Sequence, residues 1–291
     1  MEEKLLFADF LNDIKSKLNL NDFTLAKYMD CSEVMVSLLL SKKAIASVEN
    51  IKNLQLSLKQ FEDKDIFDFI FPYFPSGFYH GSRGGIIGDI DVNYNKNKNL
   101  DFGPGFYLGT SFKQSSTFVS NSDNNFRIYR FSFDLNGLKV LDLRDERWVF
   151  FVAYNRGKIP NNEENKLLLR QIAKVINKKY DVIVGPIADD KMTVSMNNFF
   201  NNNISYEQLV DCLTQLKIGD QYCLKTKNAC NQLKCESIYQ IRDDGLREII
   251  SQYALEKTTI ATKNAEEINK RNDGGKKFAE MLVEYGTKPL F

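Results

Sequence analysis

The hydrophobic pattern of the chain changes near residue 72, and this change constrains the fold more than any other feature. Before it, apolar residues recur at helical spacing, as in FADFLNDIKSKLNL at residues 7–20. After it, the sequence contains short runs rich in β-branched and aromatic residues, with two helix-like segments among them. The strand-like runs are 126–135, 138–143, 180–187 and 220–226, and the helix-like segments are 165–180 and 205–219. The pattern predicts an α+β fold that begins with an all-helical part.

Proline and glycine residues occur close together where the hydrophobic pattern changes. Pro72, Pro75 and Gly77 fall within FPYFPSGFYHG, a composition typical of a linker. Beyond Leu233 the sequence is charged, weakly amphipathic and helix-like. We therefore predict three segments, which are a helical module at 1–72, an α+β domain at 77–236 and a helical C-terminal extension at 237–291.

The helical module carries recognisable helix starts. Asp22 is placed to cap a helix through Met29, Ser32 a second helix through Leu40, and Ser47 a third that runs towards Leu58. The two short helices joined by the turn MDCS resemble the helix-turn-helix of Cro/repressor-type proteins. The resemblance implies a DNA-binding or dimerising role for this module.

The side chains of the second short helix do not favour DNA. Its first turns offer only Glu33, Val34, Met35, Val36 and Ser37, which include no Arg, Asn or Gln to read bases. Residues 1–72 contain nine Lys and Arg against twelve Asp and Glu, whereas a duplex binder needs a positive face. A protein partner or self-association through residues 1–72 is favoured over DNA binding.

The composition excludes several other classes of protein. The five cysteines are odd in number and form no CxxC pair, and a single histidine is present, so neither a zinc site nor a disulfide framework is expected. No run reaches the 18–20 apolar residues of a membrane span, and the acidic start MEEKLLFADF does not resemble a signal peptide. We expect a cytoplasmic protein with reduced thiols, no metal and no membrane partner.

Three islands carry residues suited to chemistry, namely YHGSRGG at 79–85, NLDFGPGFYLGTSFKQSSTFVS at 99–120 and GDQYCLKT at 219–226. Each alone is typical of a turn, a core or a strand edge, but their order and content resemble the ADP-ribosyltransferase superfamily. The closest likeness is to the diphtheria-toxin-like branch that includes the poly(ADP-ribose) polymerases, whose signature is His–Tyr–Glu. The matching residues are His80, Gly81, Ser82, Phe102, Gly103, Gly105, Tyr107, Ser115, Phe118 and Gln221. Residues 77–236 as a whole resemble a bacterial family of such domains whose function is poorly described.

The resemblance implies a fold of split antiparallel β-sheets with flanking helices, and NAD as substrate. It places HGS on the first strand of the domain, Ser115 and Phe118 on a helix, and Gln221 on a late strand. The Gly81 backbone would pair with the nicotinamide carboxamide, and His80 would bond a ribose hydroxyl. Tyr107 and Phe118 would sandwich the nicotinamide ring. Ser82 and Ser115 would serve as short hydrogen-bond partners. The catalytic set would be His80, Tyr107 and Gln221, and the NAD-binding set His80, Gly81, Ser82, Tyr107, Ser115 and Phe118.

Gln221 departs from this signature, which has a glutamate at that position. Glutamine keeps the hydrogen-bonding geometry but lacks the negative charge and is no base. Elongation to poly(ADP-ribose) is therefore not expected, which leaves mono-ADP-ribosylation, NAD hydrolysis or inert NAD binding. Asp189 and Asp190 are alternative sources of a carboxylate.

The favoured hypothesis is an NAD-dependent mono-ADP-ribosyltransferase that modifies a protein or nucleic acid. Its context would be the toxin or effector of a bacterial toxin–antitoxin or phage-defence system, with an antitoxin as partner. The alternative is an NAD-sensing DNA-binding regulator with a degenerate transferase fold. A third hypothesis, an RNA 2′-phosphotransferase, would need Arg83, Arg127 and Arg130 to hold a phosphate.

Overall fold

A computed structural model describes residues 2–93, 99–120, 127–177, 180–187, 193–215, 219–241, 243–271 and 274–290. The described chain is α+β, as the sequence predicts, with thirteen α-helices and eight strands among these residues. The strands are β1 (Glu2–Leu5), β2 (Phe78–Ser82), β3 (Phe106–Gly109), β4 (Arg127–Phe133), β5 (Val140–Asp142), β6 (Val182–Pro186), β7 (Asp220–Leu224) and β8 (Leu233–Ile241). The helices are α1 (Phe7–Lys17), α2 (Asp22–Met29), α3 (Glu33–Leu40), α4 (Val48–Phe61), α5 (Phe67–Ile70), α6 (Phe112–Val119), α7 (Trp148–Asn155), α8 (Lys166–Ile176), α9 (Thr193–Phe200), α10 (Tyr206–Thr214), α11 (Lys227–Asn231), α12 (Asp244–Asn269) and α13 (Phe278–Gly286).

The chain forms two compact units, each built from separate stretches of sequence. The first unit comprises Met1–Ile86, Ser111–Ser132 and Cys235–Leu255, and the second comprises Ile87–Thr110, Phe133–Lys234 and Glu256–Phe291. These units do not coincide with the three predicted segments. Residues 1–72 share a unit with β2, α6 and most of β4 and β8, because the N-terminal helices and these strands bury one common apolar cluster.

The helices of the N-terminal part begin where the sequence indicates, with one correction. Asn21, not Asp22, is the N-cap of α2, because Asn21 has extended backbone angles and its side chain accepts a hydrogen bond from the Thr24 N–H (2.8 Å). Ser32 and Ser47 cap α3 and α4 as predicted. Asp30 adopts a left-handed conformation in the turn between α2 and α3. The helix-turn-helix resemblance itself stays a prediction.

The strands of the first unit lie in the order β1-β8-β4-β2. β1 pairs with β8 in parallel, so that Glu2 lies beside Ile238, and β2 pairs with β4 in antiparallel fashion. The buried carboxylate of Asp243 follows β8 and accepts hydrogen bonds from the N–H groups of Phe7 and Leu246 (both 3.1 Å), which lie in the first turns of α1 and α12. One side chain therefore caps the N-termini of two helices.

The strands of the second unit lie in the order β3-β7-β6-β5, with β3, β7 and β6 antiparallel and β5 parallel to β6. Its core gathers aromatic residues from α7, α9 and α13 around Trp148, Phe150 and Phe199. The strand predictions at 138–143, 180–187 and 220–226 are confirmed by β5, β6 and β7.

Two sequence predictions about secondary structure are wrong. The pattern predicts only helices at 1–72, whereas Glu2–Leu5 form the strand β1 because they pair with β8. The pattern predicts helix from residue 237 onwards, whereas β8 continues to Ile241 before α12 begins at Asp244. The segment Ser237–Ile241 contains two isoleucines and a tyrosine, residue types that favour strands, and β8 has hydrogen-bonding neighbours on both sides in β1 and β4. Within the described ranges, no helix is long and apolar enough to span a membrane.

Candidate functional site

The first island lies on β2 of the first unit, where the strand pleat sorts its residues onto two faces. Tyr79 and Gly81 point to the face covered by α6, since Tyr79 contacts the ring of Phe112. His80 and Ser82 point to the opposite face, which we call the His80 face. His80 is half-buried there and lies directly opposite Tyr129 of β4, and Ser82 is buried. The His80 face therefore combines an imidazole, a hydroxyl and a tyrosine.

Gly81 is required by the packing of α6 against β2. A Cβ atom at this position would lie 2.7 Å from the backbone oxygen of Ser115 and 2.8 Å from Cγ1 of Val119. Such distances are shorter than van der Waals contact, so the helix could not approach the strand this closely with any other residue. The family resemblance assigns Gly81 a role towards a ligand, and the structure adds this second reason for glycine.

Ser115 and Phe118 lie on α6, as the resemblance implies. Ser115 is buried against β2, while the Phe118 side chain is 65% exposed. The Arg83 guanidinium lies 5.6 Å from the centroid of the Phe118 ring, a cation–π contact that covers part of the ring. Phe118 therefore presents an exposed aromatic ring on α6, the helix that packs closely against Gly81.

The second island forms a loop in the second unit that is fixed by its own tyrosine. The Tyr107 hydroxyl accepts a hydrogen bond from the Phe102 N–H (3.1 Å) and donates one to the Gly103 carbonyl (2.6 Å). Gly103 has a φ of +69°, which only glycine adopts without strain. Burial raises the pKa of Tyr107 well above its ordinary value, so this hydroxyl stays protonated. Tyr107 holds the loop and leaves its ring for packing or stacking.

A buried lysine at the end of β7 fixes the same loop. The Lys225 ammonium donates hydrogen bonds to the carbonyls of Phe102 (2.8 Å) and Pro104 (2.5 Å). Burial lowers the pKa of Lys225, because the charged form loses its hydration. Nothing in the sequence indicates this role, since a lysine that follows an apolar strand is typical of the surface.

Gln221 lies on β7 between β3 and β6, and its side chain is buried. Its direct neighbours on the two flanking strands are Gly109 and Gly185, so no side chain stands beside the amide on either strand. The Gln221 Nε2 donates hydrogen bonds to Oδ2 of Asp101 (2.7 Å) and to the Pro186 carbonyl (3.0 Å). Tyr107 and Gln221 share a face of the sheet, because Tyr107 pairs with the residue two positions beyond Gln221 on β7.

Asp101 is a buried carboxylate that none of the sequence motifs includes as a functional residue. Its Oδ1 pairs with the Arg156 guanidinium (3.2 Å), and its backbone carbonyl accepts a hydrogen bond from the Asn155 side chain (2.8 Å). The signal available in the sequence is an acidic residue directly before FGPG, which the motif does not require. The second unit therefore places a carboxylate within hydrogen-bonding distance of the neutral amide.

The predicted site residues fall into two sets. The first unit holds His80, Gly81, Ser82, Ser115 and Phe118 near the contact of β2 with α6, and the second unit holds Tyr107 and Gln221 on adjacent strands. Asp189 and Asp190 lie outside the described residues.

The three arginines of the phosphotransferase hypothesis do not share a face. Arg127 and Arg130 of β4 are three residues apart and pair with Ser82 and Tyr79 of β2, which point to opposite faces. Among the residues described, no group of three His, Cys, Asp or Glu side chains is placed to hold a metal ion.

Comparison with known families places the α+β part of the chain. Residues 77–235, more than half of the sequence, match the model of a family described as "Protein of unknown function (DUF3990)". The chain belongs to this family. The matched segment of the DUF3990 family begins and ends within one residue of the predicted α+β domain and contains all three islands. No curated protein and no solved structure matches the chain.

Proposed function

We propose that the chain is an NAD-dependent mono-ADP-ribosyltransferase, with NAD as substrate and a protein or nucleic acid as acceptor. His80 bonds a ribose hydroxyl, the Gly81 backbone and the hydroxyls of Ser82 and Ser115 hold the carboxamide and ribose, and Phe118 stacks on nicotinamide. The ring of Tyr107 also stacks on nicotinamide. The support is that HGS lies on the strand β2, Ser115 and Phe118 on the helix α6, and Gln221 on the late strand β7, as the resemblance implies.

The environment of Gln221 carries the proposal. An amide buried in a sheet is costly unless its polar atoms are paired, and both Nε2 hydrogens of Gln221 are paired. Its Oε1 is the atom to which none of the described residues donates a hydrogen bond. Gly109 opposite Gln221 leaves the β3 side of the amide without a side chain, and such glycines mark close approach of a ligand or backbone. A ribose hydroxyl is a donor of the kind that Oε1 accepts.

The proposed reaction breaks the bond between ribose C1′ and the nicotinamide nitrogen. Nicotinamide leaves with the bonding electrons as a neutral base, and the cation-like C1′ is captured by a nucleophile of the acceptor, whose proton passes to solvent. The transition state resembles the oxocarbenium-like state of glycoside hydrolysis. A neutral amide at residue 221 orients the ribose but cannot deprotonate an acceptor, so the product is a single ADP-ribose rather than a polymer.

The biological setting that we propose is a cytoplasmic toxin or effector of a bacterial toxin–antitoxin or phage-defence system. The five cysteines are free thiols, as a reducing compartment favours. Residues 1–72 would bind an antitoxin or a second copy of the chain. This setting follows from the resemblance and from the thiols.

The test is the release of nicotinamide from NAD, together with transfer of an adenine-labelled ADP-ribose to macromolecules. His80→Ala is expected to abolish both. Phe118→Ala is expected to raise the KM for NAD about 10-fold or more, because stacking of a base on an aromatic side chain contributes about 1–3 kcal/mol. Phe23→Ala is the matched control, since both phenylalanines belong to the first unit and both are 65% exposed. Equal nicotinamide release by wild type and His80→Ala would remove the assignment.

The alternative of a DNA-binding regulator gains no support from the side chains of α3. Its exposed residues are Glu33, Val34, Ser37 and Leu38, which carry no positive charge. A salt-dependent shift of duplex DNA by the full chain would favour this alternative over the proposed function.

A further inference from the structure

We propose that Asp101 is a positioning residue, which carries the negative charge of the site and holds the Gln221 amide with Oε1 directed to the NAD ribose. This inference rests on the proposed function. In the signature that the chain resembles, a glutamate on the late strand combines charge and hydrogen bonding in one side chain. Here the two properties are divided between Asp101 on the loop before β3 and Gln221 on β7.

The orientation of the Gln221 amide follows from its two partners. The Asp101 carboxylate and the Pro186 carbonyl are both hydrogen-bond acceptors, at 2.7 and 3.0 Å from the same atom of Gln221. A flipped amide would direct its oxygen at two oxygens, so only the orientation with Nε2 in this position is stable. The Pro186 carbonyl is itself held by the Trp148 indole N–H (2.9 Å). The remaining polar atom, Oε1, must then point away from these acceptors.

Asp101 is held as firmly as the amide that it orients. The Arg156 guanidinium binds Oδ1, and the side chains of this ion pair are 9% and 17% exposed for Asp101 and Arg156. Asn155 anchors the Asp101 backbone. A carboxylate that accepts a hydrogen bond from an amide N–H also polarises the amide, because successive hydrogen bonds strengthen one another in a low dielectric. Asp101 thus makes Oε1 of Gln221 a stronger acceptor than a solvated glutamine would offer.

The same contact explains why a glutamate is absent at residue 221. A carboxylate there would lie against the Asp101 carboxylate, and two such groups cannot both ionise at this distance. Gln221→Glu therefore creates a pair that shares one proton, which stands in for the Nε2–H at acidic pH. The pair has a raised pKa in the folded state, so the stability that it provides is present at acidic pH and is lost as the pH rises through that pKa.

Among the described residues, the titratable groups around Asp101 and Gln221 include Arg156, Lys225, Tyr107 and Cys223, all in the second unit. Burial raises the pKa of Tyr107 well above its ordinary value and that of Cys223 to about 11, whereas it lowers the pKa of Lys225. All four are present in every variant, so comparison with the wild-type chain at each pH removes their contribution.

The experiment compares the full-length wild type with Asp101→Asn, Gln221→Glu and the exchanged pair Asp101→Asn/Gln221→Glu. Thermal midpoints and the kcat and KM of nicotinamide release are measured from about pH 5 to about pH 9, a window in which a shared proton of a carboxylate pair is lost. Asp101→Asn is expected to lower kcat about 10- to 100-fold, the loss seen when residues that orient metal ligands are replaced, with a smaller change in KM.

The two glutamate variants test the pairing directly. Gln221→Glu is expected to approach the wild type at acidic pH and to lose stability and kcat as the pH rises. The exchanged pair is expected to lose this pH dependence and to recover part of kcat, because the amide introduced at position 101 would donate to the carboxylate introduced at position 221.

A control separates positioning from the loss of a buried carboxylate as such. Asp243→Asn removes a buried carboxylate of the first unit that caps two helices, and it is expected to lower the thermal midpoint without lowering kcat. The inference is overturned if Asp101→Asn retains wild-type kcat, or if Gln221→Glu has the pH profile of the wild type. A wild-type chain that neither binds nor cleaves NAD overturns the proposed function and the role of Asp101 towards NAD, and the Gln221→Glu stability profile then still reports the Asp101 contact.

Discussion

The packing of α6 on β2 predicts a specific cost for adding one methyl group to Gly81. In Gly81→Ala the new Cβ would lie 2.7 Å from the Ser115 backbone oxygen and 2.8 Å from Cγ1 of Val119. The valine side chain can rotate, but the carbonyl belongs to the helix, so α6 or β2 must move by several tenths of an ångström. Overpacking of this kind typically costs about 1–3 kcal/mol, and we expect the free energy of unfolding to fall by that amount.

The matched control lies three residues away in the same motif. A Cβ atom at Gly84 would meet no atom within 4 Å, and this glycine does not have a positive φ. Gly84→Ala is therefore expected to leave the stability unchanged or to raise it slightly, because alanine restricts the unfolded chain. Both variants receive the same side chain, so their difference isolates the contact with α6.

Urea unfolding followed by circular dichroism measures this difference. Trp148 is the only tryptophan and belongs to the second unit, so its fluorescence reports on that unit separately. We expect the midpoint seen by circular dichroism to fall for Gly81→Ala and not for Gly84→Ala. Equal stability of the two variants would show that a Cβ atom at position 81 does not clash with α6, and the structural reason given for this glycine would then be wrong.

Three further predictions concern buried polar groups. Tyr107→Phe removes the hydroxyl that pairs two backbone groups of the loop 102–105, and it should lower the free energy of urea unfolding by about 1–3 kcal/mol, whereas Tyr73→Phe, at an exposed tyrosine, should not. Because burial lowers the pKa of Lys225, wild-type stability should rise relative to Lys225→Met as the pH increases from that lowered pKa towards about 10.5; parallel pH profiles would contradict this. Asp243→Ala leaves two helix N-termini without a cap and should cost about 1–4 kcal/mol, twice the usual cost of a lost cap, as measured by thermal unfolding.

The local parts of the fold follow from the sequence because their causes lie within a few residues. Ser32 and Ser47 each accept a hydrogen bond from a backbone N–H three residues later, so residues within one turn determine where α3 and α4 begin. The strand β6 is a continuous apolar run between polar segments and is recognisable for the same reason. These elements can therefore be predicted without knowing which residues lie near them in the folded chain.

The contacts that define the site join residues that are far apart in sequence. Gln221 and Asp101 are separated by 120 positions, and nothing near either residue indicates that they meet. The sequence therefore suggests Asp189 or Asp190 as the source of a carboxylate, because they are acidic residues in the segment between the second and third islands. Gly81 is interpreted through its neighbours in HGS, whereas its packing partner α6 lies some thirty residues further on. Which side chains face each other depends on strand register, and register is a property of the assembled sheet.

The parallel pairing of β1 with β8 has a consequence for how the chain is made. Ile238, the partner of Glu2, is synthesised more than two hundred residues after it. At typical translation rates of about 5–20 residues per second, roughly 10–50 s pass between the synthesis of β1 and that of its partner strand β8. The first unit also needs residues up to Leu255, so a chain that ends before them cannot complete it. The ribosome must therefore translate the whole α+β segment before the sheet that contains His80, the only histidine, can form all its strand pairs.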